Sequence, residues 1–349
     1  MNPLPPFLLE AVCYDDRAGN SDMTFSSAKL DTLRIPAIQA PMFLISGPDM
    51  VVSACEAGIV GSFPTQNART PAILDQWMKK IRTRLDSDPN AAPWAVNIIM
   101  HPSYDRAKAD FDVILKHKPP IVITALGSPA ALVEQVHRYG GIVLADVINP
   151  EYAKKAAAAK VDGLVLVSAG AGGHTGYLSP FVFVHEIRRW WHGLLVLGGG
   201  IGTGQAILAT QAMGADMAYL GTHFIASEES QCQTEYKQMV VQADSGDIVT
   251  SDAITGVKAN WLRQSLSNGG YDPDDMPSPG KIDFTSAAGT QNKRWKDIWA
   301  AGQGVASAKS VQPVRDIVNT LVDEYHKAIS AVVANPHLST KAHKKEETL

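Results

Sequence analysis

Leu194–Ser227 reads LLVLGGGIGTGQAILATQAMGADMAYLGTHFIAS. Two short apolar runs, Leu194–Leu197 and Met217–Leu220, each end in glycine, with a segment of helical character between them. The first run opens into Gly198, Gly199, Gly200, Gly202 and Gly204, the second into Gly221-Thr222. This is a βαβ unit with a glycine-bearing turn after both strands. Backbone N–H groups converge at such turns and a helix N-terminus adds a favourable dipole, so the unit reads as a phosphate site. It is not the dinucleotide fingerprint G-x-G-x-x-G, whose last position falls on Thr203 or Gln205. Nor is it a Walker loop, because Gln205 stands where Lys would follow the Gly199/Gly204 pair. What remains is a (β/α)8 barrel, whose last two βα loops commonly grip a phosphate group. Ordinary turns with no ligand are the alternative.

Outward from this unit the chain keeps one rhythm. Strands are expected at Ala37–Ala40, Gly58–Phe63, Trp94–Ile99, Ile121–Ala125, Gly141–Asp146 and Gly163–Val167. Helices are expected to end near Ala54–Ala57 and to span Pro71–Leu85, Tyr104–His117, Pro129–Tyr139, Pro150–Ala159 and Phe181–Trp191. In Pro71–Leu85, Ile73, Trp77, Ile81 and Leu85 recur at helical spacing. The strands are continuously apolar, as in parallel sheets buried on both faces. Eight such repeats predict an α/β fold, a closed (β/α)8 TIM barrel, over an open doubly wound sheet.

The rhythm breaks after Ser227. Residues 228–300 hold one expected helix, Glu229–Ala243, and a Gly/Pro/Asp/Ser-rich stretch around Asn268–Gly280, and read as an inserted cap or small domain. Val314, Ile317, Val318, Leu321, Val322, Tyr325, Ala328 and Val332 then lie at helical spacing, an amphipathic helix completing the barrel. The expected division is an N-terminal arm 1–34, a barrel of 35–227 and 301–334, the insert 228–300 and a polar tail 335–349.

With 45% hydrophobic and 19% charged residues, the chain has the profile of a globular enzyme. A net charge of −4 without a long basic run argues against nucleic acid. Cys13, Cys55 and Cys232 are scattered, against both a disulfide framework and a cysteine-rich metal site. No 18-residue apolar run or leader-like start is present, so the expected location is cytoplasmic, away from membranes.

Active sites of such barrels lie at the C-terminal strand ends. These ends are Pro41-Met42, Asn97, Thr124, Asp146, Ser168–Gly176, Gly198–Gly204 and Gly221-Thr222. The richest is the sixth, SAGAGGHTG, where His174 sits among Gly170, Gly172, Gly173 and Gly176. Glycines let such a loop approach a flat ligand, and a histidine can exchange a proton near neutrality, which makes His174 the candidate catalytic residue. His185 and His192 are expected on the flank of one helix. Glu186 does not complete H-E-x-x-H, so no metal site is expected. His223 either reaches the ligand or supports its loop. No G-x-S-x-G elbow is present for a serine hydrolase.

IQAPM at Ile38–Met42, Asn97, AGGHTG at Ala171–Gly176, GGGIGTG at Gly198–Gly204 and YLGTHF at Tyr219–Phe224 together resemble the nitronate monooxygenase family. TGVKANWLRQSL (Thr255–Leu266) and WAAGQG (Trp299–Gly304) look like that family's C-terminal motifs, so the resemblance runs from about Ile35 to Val333. It implies a barrel binding FMN non-covalently. Ala40, Pro41 and Met42 would lie against the isoalloxazine and Asn97 would hydrogen-bond the ring. Gly199, Gly200, Gly221 and Thr222 would hold the phosphate. Ser168, Gly170, Gly173 and Gln303 would complete the cofactor shell, and His174 matches the catalytic histidine. One departure is Gly170, where many members carry Glu. The implied reaction oxidises an alkyl nitronate with O2 to a carbonyl compound and nitrite. The alternatives are an NAD(P)H-dependent FMN reductase of quinones or enoyl thioesters and a catalytically silent phosphate-binding barrel. The resemblance allows a homodimer.

Overall fold

The structure, a computed structural model, describes residues 30–277 and 296–337. Most of the expected arm, the 278–295 part of the insert, Cys13 and most of the tail lie outside the described residues.

The apolar runs form parallel strands β1 (Ala37–Gln39), β2 (Gly61–Pro64), β3 (Trp94–Ile99), β4 (Ile121–Ala125), β5 (Ile142–Val147) and β6 (Gly163–Val167). After a two-residue strand, β7 (Gly173–His174), come β8 (Leu194–Gly198) and β9 (Met217–Leu220). The sheet order β1-β9-β8-β6-β5-β4-β3-β2 is that of a barrel. Its two ends are joined by a parallel bridge between Ile38 and Val60, where Gln39 N donates to Val60 O at 2.8 Å. Ile38, Val60, Ala95, Ile121, Ile123, Leu144, Val165, Val196 and Met217 fill the interior as one apolar plug. Eight strands leave just enough space for such a layer.

Helices α1 (Pro48–Glu56), α2 (Pro71–Leu85), α3 (Ala107–His117), α4 (Ala130–Arg138), α5 (Pro150–Ala158), α6 (Pro180–Arg188) and α7 (Gly204–Ala212) alternate with the strands. Their starts follow from capping. Thr70, Asn149 and Thr203 each accept a hydrogen bond from the backbone N–H three residues on, and Pro71 and Pro150 occupy the first turn. No helix among the described residues is long and apolar enough to cross a membrane.

After β9 come α8 (Thr222–Ile225), α9 (Thr234–Gln242), the antiparallel pair β10 (Ile248–Ser251) and β11 (Ala259–Leu262), α10 (Arg263–Asn268) and α11 (Val314–Ala334). The helix expected from Glu229 starts five residues later. Glu229 instead turns its carboxylate onto Val314 N at 2.9 Å and so caps α11. In α11, Val314, Ile317, Val318, Leu321 and Val322 are buried as their spacing requires, whereas Val332 is 46% exposed. Residues 189–192 fall outside α6, because Arg188 donates to the carbonyls of Trp191, Gly193 and Gly214 and folds the chain back. His192 therefore does not share a helix with His185.

Candidate active site

Strand parity builds the floor of the site. Successive side chains of a strand point to opposite faces, so two residues beyond each plug residue the side chain again points inward. At the C-terminal end of the plug those residues are Ala40, Asn97, Ala125, Asp146, Val167, Gly198 and Tyr219, while Ser62, two beyond Val60, is buried and donates its hydroxyl to Gln39 O. All seven line one cavity of about 970 Å³ at the C-terminal end of the barrel. Three of them are polar: Asn97, Asp146 and Tyr219. Asp146 Oδ1 and Tyr219 Oη are enclosed and have no hydrogen-bond partner among the described residues. Burial raises the Asp146 carboxyl to about 7. Burial, then the nearby Asp146 charge, pushes the Tyr219 phenol well above its usual range.

Pro41, Met42, Gly170, Gly173, His174, Gly199, Gly200, Gly221 and Thr222 also line the cavity, so the structure brings most of the expected site residues together. Ser168 and Gln303 do not face it. Ser168 is buried and donates to Gly198 O at 2.7 Å, tying the sixth loop to the seventh. The Gln303 backbone N donates to Gly170 O at 2.9 Å, and its side chain packs against Gly170. Glutamate at position 170 would collide there: a Cβ would lie 2.9 Å from Gln303 Oε1 at φ +92°.

The glycines of GGGIGTG have separate causes. Gly200 has φ +69° and open space where a Cβ would stand. At Gly204 a Cβ would lie 2.2 Å from Tyr325 N and 2.4 Å from Leu321 O, so this glycine lets α7 pack on α11. At Gly202 it would meet Ser307 Oγ at 2.2 Å. The N-terminus of α7 is already occupied, with Gly204 N donating to Glu324 Oε2 at 2.8 Å. At this turn the backbone around Gly200 stays open to the cavity, whereas Gly204 N at the helix terminus is engaged by Glu324. His223 Nδ1 contacts Gly202 O at 3.0 Å and the residue is buried off the cavity wall, so it supports the turn.

His174 lies on β7, which adds to β11 as a third antiparallel strand, with Ala259 opposite His174. Asn260 clamps the same loop, donating from Nδ2 to Ala171 O at 2.7 Å. Thr175 N donates to Lys258 O at 3.1 Å and Thr175 Oγ1 to Ser168 O at 3.1 Å. The imidazole is thus presented from a rigid strand, and burial lowers it to about 4, so it is neutral at pH 7. The loop after β1 is held in the same way: Asn67 Nδ2 donates to Met42 O and Ser46 O, and its Oδ1 accepts from Leu44 N. Tyr236 and Trp299, stacked with ring centroids 5.0 Å apart, form a further wall.

Residues 90–324 match the model of the nitronate monooxygenase family. The chain belongs to this family. A relative from Mycobacterium tuberculosis is 30% identical over 230 residues, covering 61% of each chain. The nitronate monooxygenase of Paraburkholderia phytofirmans is 27% identical, covering 88% of this chain and 98% of the relative. Among solved structures, the nitroalkane oxidase of Streptomyces ansochromogenes superposes with a TM-score of 0.72 at 25% identity, covering 87% of this chain and 99% of the other. FabK of Thermotoga maritima superposes at 0.71 with 22% identity, covering 87% and 96%, a likeness of fold. The nitronate monooxygenase-type chain is a flavin-dependent oxidoreductase on a TIM barrel.

Tyr219, Asn67 and Asn260 line or brace this cavity without having been singled out in the sequence, and Asp146 stood among the expected strand ends without a role. For Asp146 a signal was present: counting inward parity along IVLADV from Leu144 reaches it directly.

Proposed function

We propose that the protein binds FMN in this cavity and oxidises alkyl nitronates with O2, releasing a carbonyl compound and nitrite. The observation that carries the reading is one cavity shared by an open glycine cradle at Gly200 and Gly221-Thr222 and a half-buried, neutral His174. The residues present suit FMN. A Cβ at Gly200 meets nothing within 4 Å, and one at Gly221 would have Met42 Sδ as its nearest neighbour at 3.4 Å. Gly199, Gly200, Gly221 and Thr222 would hold the phosphate; Ala40, Pro41 and Met42 would lie along the ring; Asn97 would bond its polar edge. Gly170 and Gly173 would let the sixth loop approach, while Ser168 and Gln303 brace that loop from behind. Bound flavin would supply an electron acceptor for the substrate and an electron donor for O2.

The chain's own part is binding and orientation. A neutral imidazole can hydrogen-bond the nitro oxygens or accept a proton alpha to them. Its low basicity in the free site favours the first role. The described part of the insert, residues 228–277 and 296–300, would act as a cap, because β11 holds the strand of His174 and Trp299 stacks on Tyr236 at the cavity wall.

The test is aerobic turnover of a preformed alkyl nitronate by flavin-loaded protein, with O2 uptake and nitrite measured together. Coupled O2 consumption and nitrite release is expected. Full flavin occupancy without nitrite overturns the proposal. A second reading, NAD(P)H-dependent reduction of an enoyl thioester, is favoured by one observation: Arg69, Arg106 and Lys296 on the cavity wall could meet the phosphates of a thioester carrier.

A further inference from the structure

The polar part of the cavity floor poses a charge problem. Asp146 points inward from β5 at the level of Asn97 and Tyr219, and its Oδ1 is enclosed with no hydrogen-bond partner among the described residues. Among the described residues its carboxyl forms no ion pair. Arg106, on the same cavity, is paired with Asp110 at 2.9 Å and donates to Arg69 O and Ala68 O. A carboxylate and a bound oxyanion in one cavity walled by protein repel each other, whereas a carboxylic acid offers the anion an O–H donor.

We propose that an oxyanion bound in this cavity is taken up together with one proton from solvent, and that Asp146 holds the proton. The inference rests on the reading that the cavity takes a planar anion such as a nitronate. Ionised Asp146, a proton from solvent and the free monoanion become neutral Asp146 and the bound anion, so the proton offsets the anion, the net charge of the site is unchanged, and no redox step is involved.

Other groups facing the cavity do not compete for this proton near neutrality. Burial lowers His174 to about 4, far from its usual range. Tyr219, Tyr104, Tyr236 and Cys232 are pushed upward by burial and stay neutral. Arg69, Arg106 and Lys296 are the basic side chains on the same wall. Asp146, raised to about 7, is the cavity-lining group among the described residues whose charge changes there.

The test uses flavin-loaded enzyme and nitrate, a planar oxyanion that is not turned over, with the dissociation constant read from the flavin spectrum between pH 6 and 9. Proton uptake on mixing is read with an indicator dye in weak buffer at pH 8. The expected dissociation constant is flat at low pH and rises about tenfold per unit above about pH 7, with close to one proton taken up per site. In Asp146→Asn the pH slope and the proton uptake should both vanish. A flat profile with no proton uptake, an unchanged slope in Asp146→Asn, or no nitrate binding at any pH overturns the inference. If Asp146→Asn does not fold, proton uptake by the unaltered enzyme decides alone. Nitrite release from a nitronate without this linkage would overturn the inference and leave the function standing; the linkage without nitrite release would do the reverse.

Discussion

Replacing Gly200 by Asp separates cofactor binding from folding. Gly200 has φ +69°, where a non-glycine residue costs about 1 kcal/mol or somewhat more, and Asp is among the residues that tolerate this region best. Its Cβ would point into open space, so no packing is lost. The added carboxylate would stand where the phosphate is proposed to sit. Two unit charges about 4 Å apart at an effective dielectric of 20 repel by about 4 kcal/mol, roughly a thousandfold in affinity. Gly200→Ala carries the same backbone strain without the charge. Flavin per chain after desalting, together with thermal melting, should show Gly200→Asp folded but stripped of flavin and Gly200→Ala close to fully loaded. Stoichiometric flavin in Gly200→Asp, or equal loss in both variants, would refute the placement of the phosphate.

The neighbouring Gly204→Ala should act on the fold instead. A Cβ 2.2 Å from Tyr325 N and 2.4 Å from Leu321 O meets backbone that cannot step aside, costing about 1–3 kcal/mol, partly offset by about 1 kcal/mol of helix propensity; urea unfolding checks the sign. His174→Ala should keep its flavin while turnover falls roughly 10²-fold or more. Loss on neutral nitroalkanes alone would mark His174 as the base, whereas loss on preformed nitronates too would mark it as a binding contact. Asp146→Asn should raise stability in the direction set by its burial. The carboxyl titrates near 7 in the fold and near 3.9 unfolded, so the native state is disfavoured progressively as pH rises from about 4 to about 7. The variant's advantage should be absent at pH 4 and reach at most about 4 kcal/mol at pH 8, as read by denaturant melts at both pH values.

Much of this fold was legible because most barrel strands are predominantly apolar runs bounded by glycine, proline or polar residues. Trp94–Ile99, Ile121–Ala125, Gly163–Val167 and Met217–Leu220 have the expected bounds. The glycine cradle and His174 were legible for a similar reason: they stand at strand ends of a repeating pattern. What was hidden depends on contacts distant in sequence. Strand β7 has two residues, too few for any alternation, and exists because β11, more than eighty residues on, pairs with it. Gly204 reads as part of a phosphate turn, yet its cause is the backbone of α11. The start of α9 was misplaced because Glu229 is engaged in capping α11.

The central claim is that this site takes electrons from a nitronate. Flavin-loaded protein mixed anaerobically with a preformed alkyl nitronate, and separately with NAD(P)H, tests it most directly through bleaching of the flavin absorbance. Rapid bleaching by the nitronate with slow or absent bleaching by NAD(P)H is expected. Rapid bleaching by NAD(P)H and none by the nitronate would contradict the account.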